Sequence, residues 1–296
     1  TGAGSWQHQS ALEWCQSGLS LLGIDIPLHP SPEQALAEYE EVWKNIGTRE
    51  IEDIVDLPLM SDEHMSMAAC ILQSLYTSAM ATDQNLLLFA TCRTVNLCLQ
   101  FGNCDASALA YTQLGSMLPR IFDNYDRASR LGQLGRDLVE KRGLKTYEAR
   151  MQFLCCIIKA WTASLKLATE DLYPAAQTAS RAGDMSYVGY CFVHTEVNLL
   201  LEGQPLAELI KVQEEHSRLL TGAGRWVHAR VVTLVHLALL KRTTQLSLDI
   251  ADNESDETAF ESALESSTAT LAGLYYVLKL QAQLILGEFK SAIETG

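Results

Sequence analysis

Glycines recur at intervals of about forty residues through the middle of this chain, at Gly102, Gly143, Gly183 and Gly222. The intervals are 41, 40 and 39 residues, and each contains two amphipathic segments of helical length. Glycine commonly ends a helix, because it adopts the left-handed backbone conformation without a steric penalty. One helix pair cannot bury its own apolar face, so neighbouring pairs have to stack. The pattern predicts an all-α fold, an α-solenoid of stacked antiparallel helix pairs that is TPR-like.

The remaining segments complete a single helical-repeat domain over residues 6–296. Irregular helices are predicted over residues 6–101, regular pairs over 102–242, an acidic loop over 243–257 and further helices over 258–296. Residues 1–5 are small and uncharged and look like a remnant of cloning. Since the last helix pair has barely started where the sequence stops, we expect the chain to be a fragment of a longer protein.

Charge and composition narrow the classes of partner. The formal net charge is −14, and no cluster of Lys and Arg offsets it locally, which disfavours nucleic acid and an anionic membrane surface as partners. No apolar run is long enough to span a bilayer. The eight cysteines lie mostly among aliphatic residues and form no C-x-x-C motif, which is typical of reduced, buried thiols. We therefore expect a cytoplasmic protein whose partners are proteins.

A search for catalytic and ligand-binding motifs returns absences. The sequence contains no phosphate-binding P-loop, no nucleophile elbow and no zinc-protease helix. The acidic stretch Asp249–Glu257 lacks the ligand alternation and the glycine of an EF-hand, and the seven histidines are scattered without metal-ligand spacing. We expect no catalytic residues, no metal and no cofactor, so the chain by itself is not predicted to be an enzyme.

One aromatic stripe is a candidate binding surface. Tyr187, Tyr190 and His194 stand at positions i, i+3 and i+7 of a predicted helix that is capped by Asp184. Rings with polar tips can line a groove for a peptide or a small ligand, and Trp161, one helix pair earlier, has a similar character. The alternative is that all four side chains pack against neighbouring helices.

Several stretches carry a resemblance that goes beyond the helical pattern. Their order and spacing are the distinguishing feature: Leu22-Gly23 with Pro27, residues 51–60, 94–107, 137–141, 183–194, 256–261 and 278–283. Together they resemble the helical-repeat region of large multi-sensor signal-transduction kinases. In that family a Ser/Thr-kinase-like domain and a STAND-type ATPase precede the repeats, and GAF and histidine-kinase domains follow them. The resemblance implies a regulatory role within a two-component type of signalling protein and transfers no active site.

Three hypotheses for function follow. The first is a non-catalytic interaction scaffold that couples sensing to the switching or oligomerisation of attached ATPase and kinase domains. The second is a small-molecule or peptide sensor that holds its ligand in a concave groove near Tyr187. The third is an enzyme on an all-α scaffold, which the empty motif search disfavours.

Overall fold

The computed structural model describes residues 3–220 and 269–296, and throughout them the chain is helical. The first of these ranges contains α1 (Ala3–Leu21), α2 (Pro32–Ile46), α3 (Glu63–Thr82), α4 (Gln84–Phe101), α5 (Ser107–Phe122), α6 (Tyr125–Arg142), α7 (Glu148–Thr162), α8 (Leu165–Arg181), α9 (Met185–Leu201) and α10 (Leu206–Leu220). The second contains α11 (Ala269–Leu286) and α12 (Phe289–Thr295), and a short 3₁₀ helix spans Ile51–Asp56. No β-strand occurs in these two ranges. The prediction of an all-α fold is confirmed.

Local sequence explains where several helices begin. The Ser31 hydroxyl accepts a hydrogen bond from the Gln34 backbone N–H, and the Gln34 side-chain oxygen accepts one from the Ser31 backbone N–H. Pro32 occupies the first helical position. Asp62 and Asp83 use their carboxylates to accept hydrogen bonds from the first backbone N–H groups of α3 and α4. These contacts satisfy donors that the helices themselves cannot pair.

The periodic glycines end helices wherever the structure describes them. Gly102 follows α4, Gly143 follows α6 and Gly183 follows α8, and each has a positive φ. The two intervals between them each contain two helices, α5 with α6 and α7 with α8, and a further two helices, α9 and α10, follow Gly183. Gly222 and the predicted acidic loop lie outside the described residues. The prediction of a single domain over residues 6–296 stays a prediction.

Residues 5–168 form one compact unit. Its centre is made by α4 and α5, whose residues are buried on nearly every side. Helices α2 and α3 pack on α4, α4 packs on α5, and α5 packs on both α6 and α7. Most of these contacts join elements one or two positions apart along the chain, whereas α6 also packs on the 3₁₀ helix of residues Ile51–Asp56.

Small residues let α5, α6 and α7 approach closely. A Cβ atom at Gly135 would collide with the Thr112 hydroxyl, and one at Gly115 or Gly132 would lie 3.1 Å from the Ile158 Cδ1 atom. These glycines stand in helix interiors, where glycine costs about 1 kcal/mol relative to alanine. Close packing in the centre of the unit offsets that cost.

The residues from 169 onward belong to a second compact unit. Here α9 packs on α10 and α11 packs on α12. The Thr169 hydroxyl of α8 donates a 2.7 Å hydrogen bond to the Glu202 carboxylate at the end of α9. In the described part of the chain no helix combines the length and apolar character needed to cross a bilayer.

Candidate functional site

Helix α9 carries the predicted aromatic stripe. Asp184 occupies the N-cap position, as expected, and the helix ends at Leu201. The rings of Tyr187 and Tyr190 meet edge to face, with centroids 5.3 Å apart and an interplanar angle of 89°. Tyr187 is buried, whereas Tyr190 and His194 are partly exposed. Burial lowers the pKa of the His194 imidazole to about 4, so this ring is neutral at neutral pH.

The side of α9 opposite the stripe is buried as well. Phe192 and Glu196 lie on that side, and they are 7% and 0% exposed. A helix that is apolar all round is typical of a protein core. This burial favours packing for Tyr187 and leaves the exposed part of Tyr190 as the portion of the stripe that a ligand could reach.

Trp161 lies apart from the stripe in the organisation of the chain. It belongs to the last turn of α7, in the unit of residues 5–168, whereas the stripe belongs to the unit that begins at Thr169. Its side chain is 55% exposed. Trp161 is therefore the predicted site residue with the largest accessible apolar surface.

A buried polar pair joins α9 to α10, and the sequence reasoning missed it. The His216 Nδ1 atom lies 2.8 Å from a Glu196 carboxylate oxygen, and Gln213 donates a 3.3 Å hydrogen bond to the other oxygen. Phe192 stacks on the His216 ring at a centroid distance of 3.9 Å. All three polar residues are at most 3% exposed.

The chemistry available to this pair is limited by its burial. A carboxylate beside an imidazole can orient the ring and share a proton with it, as acid–base dyads do. Here, however, apolar neighbours such as Phe192 enclose the ring, so a substrate could not approach without separating α9 from α10. The arrangement fits a structural role, in which the pair fixes the register of the two helices.

A sequence signal for this pair does exist. Glu196 is the only acidic residue in α9, and it stands in an otherwise apolar stretch. A lone carboxylate on a buried helix needs a partner, because burying an isolated charge is costly. The sequence does not choose that partner, since it offers seven histidines without distinctive spacing.

Comparisons with known proteins do not extend this description. No protein-family model, no curated protein and no solved structure matches the chain. Within the ranges 3–220 and 269–296, no group of three or more His, Cys, Asp or Glu side chains could hold a metal ion. The functional interpretation therefore depends on the helix organisation and on the exposed and buried side chains described above.

Proposed function

We propose that this chain is a non-catalytic scaffold of a multi-domain signalling kinase, a TPR-like α-solenoid that couples sensing to the switching or oligomerisation of attached ATPase and kinase domains. One observation carries the proposal: successive helix pairs are separated by Gly102, Gly143 and Gly183. A repeated pair provides an extended surface, and it can relay a small rotation from one pair to the next. The resemblance to the repeat region of sensor kinases supplies the biological setting.

The packing of the pairs supports such a relay. Helix α5 packs on α6 and also on α7, so a shift of one pair would be felt by the next. Gly132 and Gly115 both lie against Ile158, which keeps the three helices in close contact. Closely packed interfaces tend to move as rigid bodies rather than deform continuously.

Trp161 is suited to contact another domain of the same polypeptide, because it is exposed and lies among the regular helix pairs. Tryptophan is enriched where protein interfaces bury an anchor residue. Trp14 is a matched control, because it is also exposed, at 79%, and belongs to the same unit but lies before the regular pairs.

The experiment is a pair of substitutions in the full-length signalling protein. We expect Trp161→Ala to weaken the response of the ATPase or kinase to its signal several-fold, while the stability of the isolated chain changes by less than about 1 kcal/mol, as is usual for surface positions. Trp14→Ala should leave both quantities unchanged. Normal signalling by the Trp161 variant would contradict an interface role for this tryptophan.

A small-molecule or peptide sensor is the second candidate, and the partial exposure of Tyr190 beside the buried Tyr187 favours it. In that case native mass spectrometry of the purified chain should reveal a bound ligand. Tyr190→Ala should remove the ligand and change stability by less than about 1 kcal/mol. A loss of about 3 to 5 kcal/mol would instead mean that the ring is part of the core.

A further inference from the structure

The junction between α4 and α5 brings two cysteines together. Cys98 stands in the last turn of α4 and Cys104 in the connecting loop just before α5. The Ser107 hydroxyl lies 3.1 Å from the Cys98 sulfur and 3.8 Å from the Cys104 sulfur. It also accepts a 2.8 Å hydrogen bond from the backbone N–H of Cys104. The Ser107 hydroxyl thus contacts the sulfur atoms of Cys98 and Cys104 and also the backbone of the loop that contains Cys104.

The two sulfur atoms have different electrostatic surroundings. Cys104 accepts hydrogen bonds from the Cys98 thiol, from the backbone N–H of Ala106 and from Ser107, and together they hold the pKa of Cys104 below its ordinary value. The hydrogen bond with Cys104, together with full burial, raises the pKa of Cys98. Of the two cysteines, Cys104 is therefore the one that loses its proton more readily, and Cys98 keeps its thiol proton.

A third polar group lies next to the pair. The Tyr111 side chain is fully buried one turn beyond Ser107 on α5, and it interacts electrostatically with both Cys98 and Cys104. Its hydroxyl makes no hydrogen bond to any group in the described residues. A buried hydroxyl normally has a partner, so this one leaves hydrogen-bonding capacity unused next to the two cysteines.

We infer that Cys98 and Cys104 form a peroxide-reactive dithiol, in which hydrogen peroxide oxidises Cys104 and Cys98 completes a disulfide. The Cys104 thiolate attacks one peroxide oxygen, the O–O bond breaks, and the departing hydroxide takes a proton to leave as water. The product is a sulfenic acid on Cys104. The Cys98 sulfur then attacks the Cys104 sulfur, the S–O bond breaks, and a second water leaves with the Cys98 proton. Two thiols are oxidised and one peroxide is reduced.

The same reasoning predicts which cysteines should react slowly. Cys15 and Cys70 are the two cysteines with partial exposure, and burial raises the pKa of each. Cys70 is also close enough to Cys104 to interact with it electrostatically, so it is the rival for the second step. If exposure alone controlled reactivity, Cys15 and Cys70 would react first.

The test is peptide mapping of the wild-type chain after treatment with about one equivalent of hydrogen peroxide, removal of the peroxide, and denaturation in the presence of an alkylating reagent. We expect eight alkylated cysteines without peroxide and six after it, with Cys98 joined to Cys104. Early oxidation of Cys15 or Cys70, a disulfide between Cys70 and Cys104, or no reaction before denaturation would each overturn the assignment. This measurement requires no substitution.

Variants then separate the roles of the two cysteines. Cys98→Ser should leave a Cys104 sulfenic acid that a cyclic diketone reagent traps, Cys104→Ser should abolish the reaction, and Cys70→Ser should form the disulfide at the wild-type rate. Ser107→Ala should slow the reaction by roughly fivefold, the effect of one hydrogen bond. Unchanged helical circular dichroism confirms that each variant is folded. Trapping at Cys98 in the Cys104 variant would contradict the assigned roles.

Discussion

Gly102 and Gly143 look equivalent in the sequence, since each ends a helix and they mark successive boundaries of the forty-residue period. Their surroundings differ. A Cβ atom at Gly143 would meet no atom within 4 Å, whereas one at Gly102 would collide with the Pro58 carbonyl oxygen. Gly143 serves only as a helix cap. Gly102 also lets the backbone of residues 58–60 approach closely, since it has no side chain.

The segment held against Gly102 is the connection that follows the 3₁₀ helix. Asn103 accepts a hydrogen bond from the Met60 backbone N–H and donates one to the Pro58 carbonyl, both 2.8 Å long. The Asn103 side chain donates another to the Ile54 carbonyl. The 3₁₀ helix before this connection is itself bonded to α6, because Arg130 donates to the Glu52 carboxylate and Arg142 donates to the Val55 carbonyl. Glycines at equivalent positions of the period can therefore have different physical roles.

The largest effect is expected at Gly102. Gly102→Ala combines a φ of 104°, unfavourable for any residue with a side chain, with a backbone collision that requires residues 58–60 to move. We expect a loss of about 4 kcal/mol in the free energy of unfolding, measured by urea denaturation. A loss below about 1 kcal/mol would mean that Gly102 is an ordinary cap like Gly143.

A smaller effect is expected at Asn103. Asn103→Ala leaves the buried Ile54 carbonyl without its side-chain donor and should cost about 2 kcal/mol. Asn124→Ala is the matched control, because Asn124 caps α6 at an exposed position and should cost about 1 kcal/mol. Equal losses of stability in the two variants would show that the hydrogen bond from Asn103 to Ile54 contributes no more than an ordinary helix cap.

Substitutions at Gly143 and Gly183, which only end helices, should reduce stability less than those at Gly102 and Asn103. Gly143→Ala and Gly183→Ala should each cost about 1 kcal/mol, from the left-handed backbone alone. Gly143→Asn should recover part of that loss, because asparagine tolerates this conformation. Thermal unfolding of the three variants checks the ranking. A loss of stability at Gly183 as large as that at Gly102 would contradict the role of Gly183 as a helix cap alone.

The smallest effect is expected at Glu52, an exposed residue of the 3₁₀ helix that precedes this connection. Hydrogen bonds from Arg130 lower the pKa of Glu52 to about 2 from its ordinary value of 4.5. The stabilisation is therefore fully present above pH 4.5 and is lost as the pH falls toward 2. Since Glu52 is exposed, we expect less than about 1 kcal/mol, reduced further by salt. The stabilities of wild type and Arg130→Gln should differ near neutral pH and converge near pH 2.

Much of the fold could be predicted because its determinants are local. The sequence Ser31-Pro32-Glu33 predicts the start of α2, and the structure has a capping box there. The stripe of Tyr187, Tyr190 and His194 was likewise placed on one side of one helix. Whether that side faces solvent could not be predicted, because burial depends on which other helices cover α9.

The candidate site was harder to predict than the helices for the same reason. Glu196 could be recognised as a carboxylate in need of a partner, but His216 became that partner only when α9 packed on α10. The prediction that Trp161 lines the same groove as Tyr187, Tyr190 and His194 stays a prediction.

The helices and the glycines that separate them follow from local sequence, because caps and i to i+4 hydrogen bonds involve neighbours in the chain. Three contacts arise only when the helices pack: the Pro58 carbonyl lies against Gly102, Glu196 pairs with His216, and the Ser107 hydroxyl lies between the sulfur atoms of Cys98 and Cys104. Such contacts depend on the packing of whole helices. That packing is chosen by the apolar surface buried across the entire unit, which no short stretch of sequence specifies.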